Sequence, residues 1–230
     1  MWEAKPLQGT PGKRGRWVDE LSMEPFDKLR ELAGRSGATL FSGALSAFQI
    51  VLSLETGKGD ILVGSPVANR GKKAVWDTMG SFAGIVPLRG DVRSDETYMD
   101  LLERTHGMTV DSFANALPFT ELVECLEEPV VEGKNPIFDV RFALQNHPVP
   151  DVSMPGLEVE YRTRSTGTSR FDLACELTET GGSMEVVWLY REDVFQPSDI
   201  ERIHQRFSTM LTAVLAAPDS TVTELTDSLK

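Results

Sequence analysis

The sequence predicts an α+β protein in which helices pack against a mixed, mainly antiparallel sheet. Segments in which apolar residues recur at helical spacing lie towards both ends of the chain. Most of the segments that have the length of a strand, with alternating or continuous apolar residues, lie between them. In addition, Gly181 and Gly182 form a turn that joins the last two predicted strands as a hairpin.

The composition is that of an ordinary globular protein, with 230 residues, 40% hydrophobic and 25% charged. The formal net charge of −12 argues against a general affinity for nucleic acid or for an anionic membrane. Because no continuous apolar run has the length of a membrane span or a signal peptide, we expect a cytoplasmic protein. Cys125 and Cys175 are expected to be buried thiols in a reducing compartment.

The start of the chain is predicted to be a linker or an extended arm over residues 1–16, which lack periodicity and are rich in Gly, Pro, Lys and Arg. Its basic run, residues 13–16, is interpreted as a solvated tail. A short strand is expected over residues 17–21, and residues 17–226 are assigned to one folded unit.

Two helices follow this strand. Ser22 is predicted to cap the first helix, and Gly37 is predicted to end it. Thr39 is predicted to cap the second, whose apolar residues at positions 40–52 make it the expected centre of the core.

The middle of the chain is predicted to hold strands at residues 61–67, 83–88 and 138–144, with helices at residues 97–116 and 118–126. An Asn135-Pro136 turn precedes the third strand. Further strands are expected at residues 157–164, 171–178 and 184–191. A capping box of Ser198 and Glu201 is predicted to start a final helix, which Pro218 ends.

No self-contained catalytic arrangement stands out. The sequence has no Gly-x-Ser-x-Gly motif and no His or Cys pair at metal-ligand spacing, so we expect neither a metal nor a directly bound cofactor. His106 and His204 lie among polar neighbours on amphipathic helices and are expected at the surface or its boundary. His147 is expected to be an ordinary loop residue.

Six segments, read together in order, resemble the motifs of the condensation domain of nonribosomal peptide synthetases. The segments are ILVGSPVANR (61–70), MGSFAGIVPLR (79–89), ALPFTELVECL (116–126), KNPIFDVRFALQN (134–146), TSRFDLACELTE (168–179) and VFQPSDIERIHQRF (194–207). The resemblance extends from about residue 10 to residue 226 and implies a chloramphenicol-acetyltransferase-like lobe.

The resemblance covers only the second half of that family's domain, which has two such lobes set in a V. The first lobe carries a His-His-x-x-x-Asp-Gly motif whose second histidine is the family's catalytic residue, and this sequence contains no such motif. The resemblance therefore implies a C-terminal lobe that is inactive alone, and no residue of this chain is assigned as catalytic.

The family's two carrier proteins insert phosphopantetheine arms into a tunnel between the lobes, where an amide bond forms. The residues that the resemblance places along this tunnel are Ser81, Ala83, Gly84, Ile85, Gln145 and Asn146. The residues that it places in the segment closing the floor under the first lobe are Thr168, Ser169, Arg170 and Asp172. Each has a structural alternative: Gly84 relieves crowding, Gln145 and Asn146 hold a turn, and Arg170 pairs with Asp172.

The chain departs from the family pattern at two places near the tunnel. The family's Phe-Val-Asn-Thr strand reads Phe82-Ala83-Gly84-Ile85 here, without the asparagine, and Ala116 and Leu117 replace polar residues before the Pro-Phe pair.

Three interpretations of the chain stay open. It is an acyltransferase lobe that needs an N-terminal lobe on the same or a separate chain, or a non-catalytic platform for carrier proteins or tailoring enzymes. The third is a homodimer that pairs its cleft face. A lobe without its partner is expected to expose an apolar face.

Overall fold

The computed structural model describes residues 13–70, 73–80, 82–127, 135–145 and 171–229. Several features predicted from the sequence lie outside the described residues: the first twelve residues of the arm predicted over residues 1–16, the strand at residues 157–164, and Ser81, Asn146, His147, Thr168, Ser169 and Arg170.

A single six-stranded sheet forms the frame of the described part. Its strands are β1 (Arg14–Ser22), β2 (Asp60–Val67), β3 (Gly84–Asp91), β4 (Val140–Gln145), β5 (Leu173–Thr180) and β6 (Ser183–Arg191). They are ordered β1-β6-β5-β4-β2-β3. β4 pairs in parallel with β2 and β5, and the other neighbours are antiparallel. The predicted mixed, mainly antiparallel sheet is confirmed.

Six helices accompany the sheet in the described part: α1 (Met23–Arg35), α2 (Leu40–Thr56), α3 (Tyr98–Ala114), α4 (Phe119–Leu126), α5 (Pro197–Ala216) and α6 (Val222–Asp227). As predicted, α2 is the centre of the core. Its Phe48 ring lies 5.3 Å from that of Phe142 on β4, 5.8 Å from that of Trp188 on β6 and 6.0 Å from that of Phe207 on α5. One residue thus joins the helical layer to two strands.

The predicted helix starts are partly confirmed. The Ser22 hydroxyl accepts a hydrogen bond from the Glu24 N–H, and the Thr39 hydroxyl accepts one from the Ser42 N–H, each at 3.2 Å. The predicted capping box of Ser198 and Glu201 is wrong. Pro197 takes the first helical position, so α5 begins earlier, and the Asp199 carboxylate accepts the N–H of Gln196 at 2.9 Å.

The two cysteines have different environments, which corrects half of the prediction. Cys175 is buried on β5, and burial raises the pKa of its thiol. Cys125 is exposed, because it lies on α4, a helix that has no buried residue. Phe113 at the end of α3 is an apolar side chain that is also 37% exposed.

The basic run at residues 13–16 is not a solvated tail. Arg14 begins β1 and pairs in register with Arg191, and the Lys13 ammonium lies 3.1 Å from the Glu192 carboxylate. The strand is longer than expected because β6 offers a full-length partner for it.

No single described helix is long and apolar enough to cross a membrane. Only α1 and α2 taken together, across a bend of 106°, meet that criterion by length and composition, and most of α2 is buried in the core.

Candidate functional site

The predicted tunnel residues that the structure describes lie at one end of the strands, on the same side of the sheet's length. Antiparallel pairing sets Gly84 at the start of β3 opposite Val67 at the end of β2. Because β2 and β4 run parallel, Gln145 at the end of β4 lies at the same end of the strands as Val67 and Gly84. Ala83 and Gln145 are exposed, whereas Gly84 and Ile85 are half-buried.

Arg70 organises the chain between β2 and β3. Its Nη1 donates to the carbonyl oxygens of Val75 at 2.6 Å and Thr78 at 3.0 Å, and its Nη2 donates to that of Gly80 at 2.9 Å. The guanidinium also lies over the Phe82 ring, 4.6 Å from its centroid. The guanidinium is planar, always charged and has several N–H donors, so it can bind three carbonyl oxygens and also cover an aromatic ring. These contacts fix the path of the chain up to Phe82, just before β3 begins.

Two large apolar side chains stand out on the segment that Arg70 holds. Trp76 is 60% exposed although its indole N–H donates to the Arg70 carbonyl at 2.8 Å, and Met79 is 97% exposed. Both side chains lie on the segment that leads to Ala83 and Gly84, two of the predicted tunnel residues.

Asn69 covers Gly84, the glycine at the start of β3. A Cβ atom added to Gly84 would lie 2.6 Å from Asn69 Nδ2 and 3.5 Å from Val67 Cγ2. Asn69 has a φ of 50°, in the left-handed region that asparagine tolerates better than most residues. This geometry agrees with the interpretation that Gly84 relieves crowding, and it identifies a neighbour that the sequence did not reveal.

Asp172, assigned to the floor segment, lies just before the first residue of β5, at the opposite end of the strands from Gln145. Its side chain is nearly buried, and its Oδ1 accepts a hydrogen bond from Arg191 Nη1 at 3.0 Å. The structure thus does not bring Asp172 to the tunnel residues, and it identifies Arg191 as an ion-pair partner.

The turn before β4 is built as predicted. Asn135 Oδ1 accepts the N–H of Phe138 at 3.2 Å and that of Ile137 at 3.0 Å. The turn sets the ring of Phe138 between those of Phe119 and Phe171, at centroid distances of 5.9 and 5.8 Å.

Two open cavities flank the edge strand β3. The smaller, of about 190 Å³, is lined by Val86, Pro87, Ser112, Asn115, Ala116, Leu117 and Leu122. Ala116 and Leu117, where the chain departs from the family pattern, therefore lie alongside β3. The larger, of about 460 Å³, is lined by Lys58, Asp60, Leu62, Arg89, Ile137, Phe138 and Asp139, at the other end of β3.

His204 is buried, contrary to the prediction of a surface or boundary position. Trp188 Nε1 donates to its Nδ1 at 3.2 Å, its Nε2 lies 3.0 Å from Asp19 Oδ2, and the Trp17 ring packs 4.4 Å away. Burial lowers the pKa of His204, although the Asp19 carboxylate acts in the opposite sense.

His106 lies at the boundary, as expected, with its Nδ1 3.0 Å from the Ser42 hydroxyl. Within the described ranges, no three His, Cys, Asp or Glu side chains are grouped as a metal site would require.

Comparison with known proteins gives concordant results. The family model described as "Condensation domain" matches residues 13–228. A linear gramicidin synthase protein of Brevibacillus parabrevis is 33% identical over 202 residues, which are 86% of this chain and 3% of that protein. The dimodular nonribosomal peptide synthase of Bacillus subtilis (strain 168) is 30% identical over 205 residues, 86% of this chain and 9% of that protein. The chain therefore spans a small part of these relatives.

Solved structures share the fold. The X-domain from teicoplanin biosynthesis superposes with a TM-score of 0.86 at 19% identity, covering 97% of this chain and 52% of that one. The same X-domain solved in a complex with OxyB gives 0.83 at 20% identity, with 98% and 52% coverage. The first condensation domain of the CDA synthetase gives 0.76 at 22% identity, with 94% and 48% coverage.

Proposed function

The chain belongs to the condensation domain family, and from this premise we propose that it is the C-terminal lobe of a two-lobed, amide-forming domain of nonribosomal peptide biosynthesis. The substrates are aminoacyl or peptidyl thioesters tethered to carrier proteins by phosphopantetheine arms. One observation carries this proposal: nearly all of this chain superposes on only about half of each solved domain. The absence of a His-His-x-x-x-Asp-Gly motif from the sequence agrees with it.

In the proposed reaction, the amine of one tethered substrate attacks the thioester carbonyl of the other. A C–N bond forms, the C–S bond breaks, the thiol leaves on its arm, and the amine loses a proton. Holding both reactants in place can supply roughly 7 to 11 kcal/mol of the barrier reduction. This lobe contributes a wall made by Ala83, Gly84, Ile85 and Gln145, together with Ser81 and Asn146.

The surface beside this wall supports an N-terminal lobe as partner. Trp76 and Met79 expose apolar area next to the start of β3, as a surface covered by a second lobe would. The carrier proteins are then the transient partners, whose arms reach the wall from opposite sides.

The experiment joins this chain to an N-terminal condensation lobe and supplies two loaded carrier proteins, with product detected by intact mass. We expect amide product from the two-lobed protein and none from the chain alone. If the two-lobed protein is folded and binds both carriers but forms no product, the catalytic proposal is wrong.

The second candidate is a non-catalytic binding platform. The X-domain from teicoplanin biosynthesis, on which this chain superposes well, is solved in a complex with OxyB. For this chain, a platform predicts stable binding of a carrier or tailoring enzyme without amide formation. Binding without product in the same experiment would favour this second function.

A further inference from the structure

We propose that the carboxamide of Asn69 is the amide group of the tunnel wall, supplied from the end of β2 in place of a side chain at position 84, and that it hydrogen-bonds a secondary amide of the tethered substrate. This inference rests on the proposed function, since the ligand is the phosphopantetheine arm together with the substrate that it carries into the tunnel.

The first observation is spatial. Gly84 carries no side chain, and the space that its Cβ would need is taken by Asn69 Nδ2, at 2.6 Å. Where the family's strand has asparagine, this chain has a glycine covered by an asparagine from the loop that follows β2. The Asn69 carboxamide therefore lies beside Gly84, next to the space that a side chain at position 84 would enter.

The second observation concerns the backbone of Asn69. Asn69 and Glu127 are the two non-glycine residues with positive φ in the part of the chain that the structure describes, and Glu127 ends a helix. A left-handed position outside a helix end would accept glycine without strain. Asparagine also tolerates this conformation, and here the backbone holds its carboxamide over Gly84.

The third observation is that the carboxamide is free to bind. The Asn69 side chain is exposed and makes no hydrogen bond to any residue that the structure describes. Its neighbour Arg70 holds the following chain through three carbonyl oxygens, so the group is presented by an ordered segment. Such preorganisation lowers the entropic cost of binding.

The chemistry selects the ligand. A carboxamide both donates and accepts, as a secondary amide does, so the two can pair through complementary hydrogen bonds. Phosphopantetheine arms and peptidyl chains carry such amides, whereas a thioester offers no N–H. The contact serves to place the arm rather than to stabilise the reacting atoms, which makes Asn69 a positioning residue.

The test uses the complete two-lobed domain and three variants. Asn69→Gly removes the amide and tolerates positive φ, Asn69→Asp keeps the shape but lacks the N–H donor, and the double variant Asn69→Gly/Gly84→Asn returns an amide to position 84. We expect the two single changes to raise KM for the arm-borne substrate about tenfold, with kcat within about twofold and an unchanged melting temperature. The double variant should recover most of the affinity.

The inference is overturned if Asn69→Gly leaves KM unchanged, or if KM rises only as the melting temperature falls. Binding of a carrier loaded with a non-reactive substrate analogue is measured in parallel. Weaker binding by Asn69→Gly in a domain that forms no product would support the role of Asn69 and reject amide formation. Product formation with equal binding by all variants would do the reverse.

Discussion

Arg191 and Asp172 form an ion pair with a 3.0 Å separation between Nη1 and Oδ1, and 1% and 6% of their side chains are exposed. The pair ties the start of β5 to the end of β6, where the Arg191 N–H also donates to the Asp172 carbonyl at 3.0 Å. Asp172, which the resemblance assigns to the floor segment, therefore has a structural role where β5 begins and β6 ends.

Asp172→Asn is predicted to lower the free energy of unfolding by roughly 2 kcal/mol, because it removes the buried carboxylate and leaves Arg191 with the partly exposed Asp193 as its ion-pair partner. Urea unfolding measures the loss. Asp193→Asn is the matched control, since Asp193 also accepts from Arg191 but is 27% exposed, and about 1 kcal/mol is expected. Equal losses would contradict the expectation that the buried contact to Asp172 stabilises the protein more than the partly exposed contact to Asp193.

His204 predicts a pH dependence of stability. The pKa of His204 is lowered in the native state, whereas in the unfolded chain the imidazole titrates near pH 6.5. In mildly acidic solution the unfolded chain therefore binds a proton at His204 while the native protein does not. This contribution is complete above about pH 6.5 and is lost as the pH falls towards the native pKa, by at most about 1.4 kcal/mol per pH unit.

Urea unfolding of the wild type and of His204→Gln between pH 7.5 and 5.5 measures this contribution. The wild type should lose more stability than the variant across the interval. Parallel pH profiles would show that burial of His204 does not disfavour its charged form.

Two glycines predict opposite effects of the same substitution. A Cβ on Gly64 would collide with the Phe138 ring, whereas a Cβ on Gly107, within α3, meets nothing within 4 Å. Gly64→Ala should therefore destabilise the protein by about 1 to 3 kcal/mol. Gly107→Ala should stabilise it by about 0.5 to 1 kcal/mol. Thermal unfolding measures both, and a neutral Gly64→Ala would refute the close approach of Phe138 to β2.

Arg70→Lys is predicted to loosen residues 73–80 without unfolding the protein. A lysine ammonium cannot reach three carbonyl oxygens and also cover the Phe82 ring. Amide hydrogen exchange in this segment should become faster, while the free energy of unfolding changes by less than about 1 kcal/mol. The control is Arg93→Lys, whose partner Asp91 is at the surface. Unchanged exchange after Arg70→Lys would contradict the role of Arg70 in holding this segment in place.

Much of the fold could be predicted from the sequence, because its signals are local. The apolar face of α2, the caps at Ser22 and Thr39 and the Gly181-Gly182 hairpin each lie within a few neighbouring residues. Where two local signals competed, the prediction failed. Ser198 and Glu201 resembled a capping box, but Pro197 had already started the helix.

The site could be predicted only in part, because its contacts join distant residues. Asn69 meets Gly84 only through the pairing of β2 with β3, and no periodicity reveals that register. His204 has polar neighbours along α5, yet Trp17 and Asp19 from the start of the chain cover it. Cys125 shows the opposite error, since an apolar pattern on α4 did not lead to burial.

The measurement that tests the central claim most directly is a crosslink to the proposed wall. In the complete domain with the exposed Cys125 changed to Ser, Ala83→Cys places a thiol beside Gly84, and the buried Cys175 stays unreactive. A carrier protein bearing a thiol-reactive pantetheine arm is the probe, and Lys28→Cys, exposed on α1, is the control. We predict rapid crosslinking at position 83 and little at position 28. Equal crosslinking at the two positions would show that the arm does not enter beside β3. The proposal that β3 forms a wall of the tunnel would then be wrong.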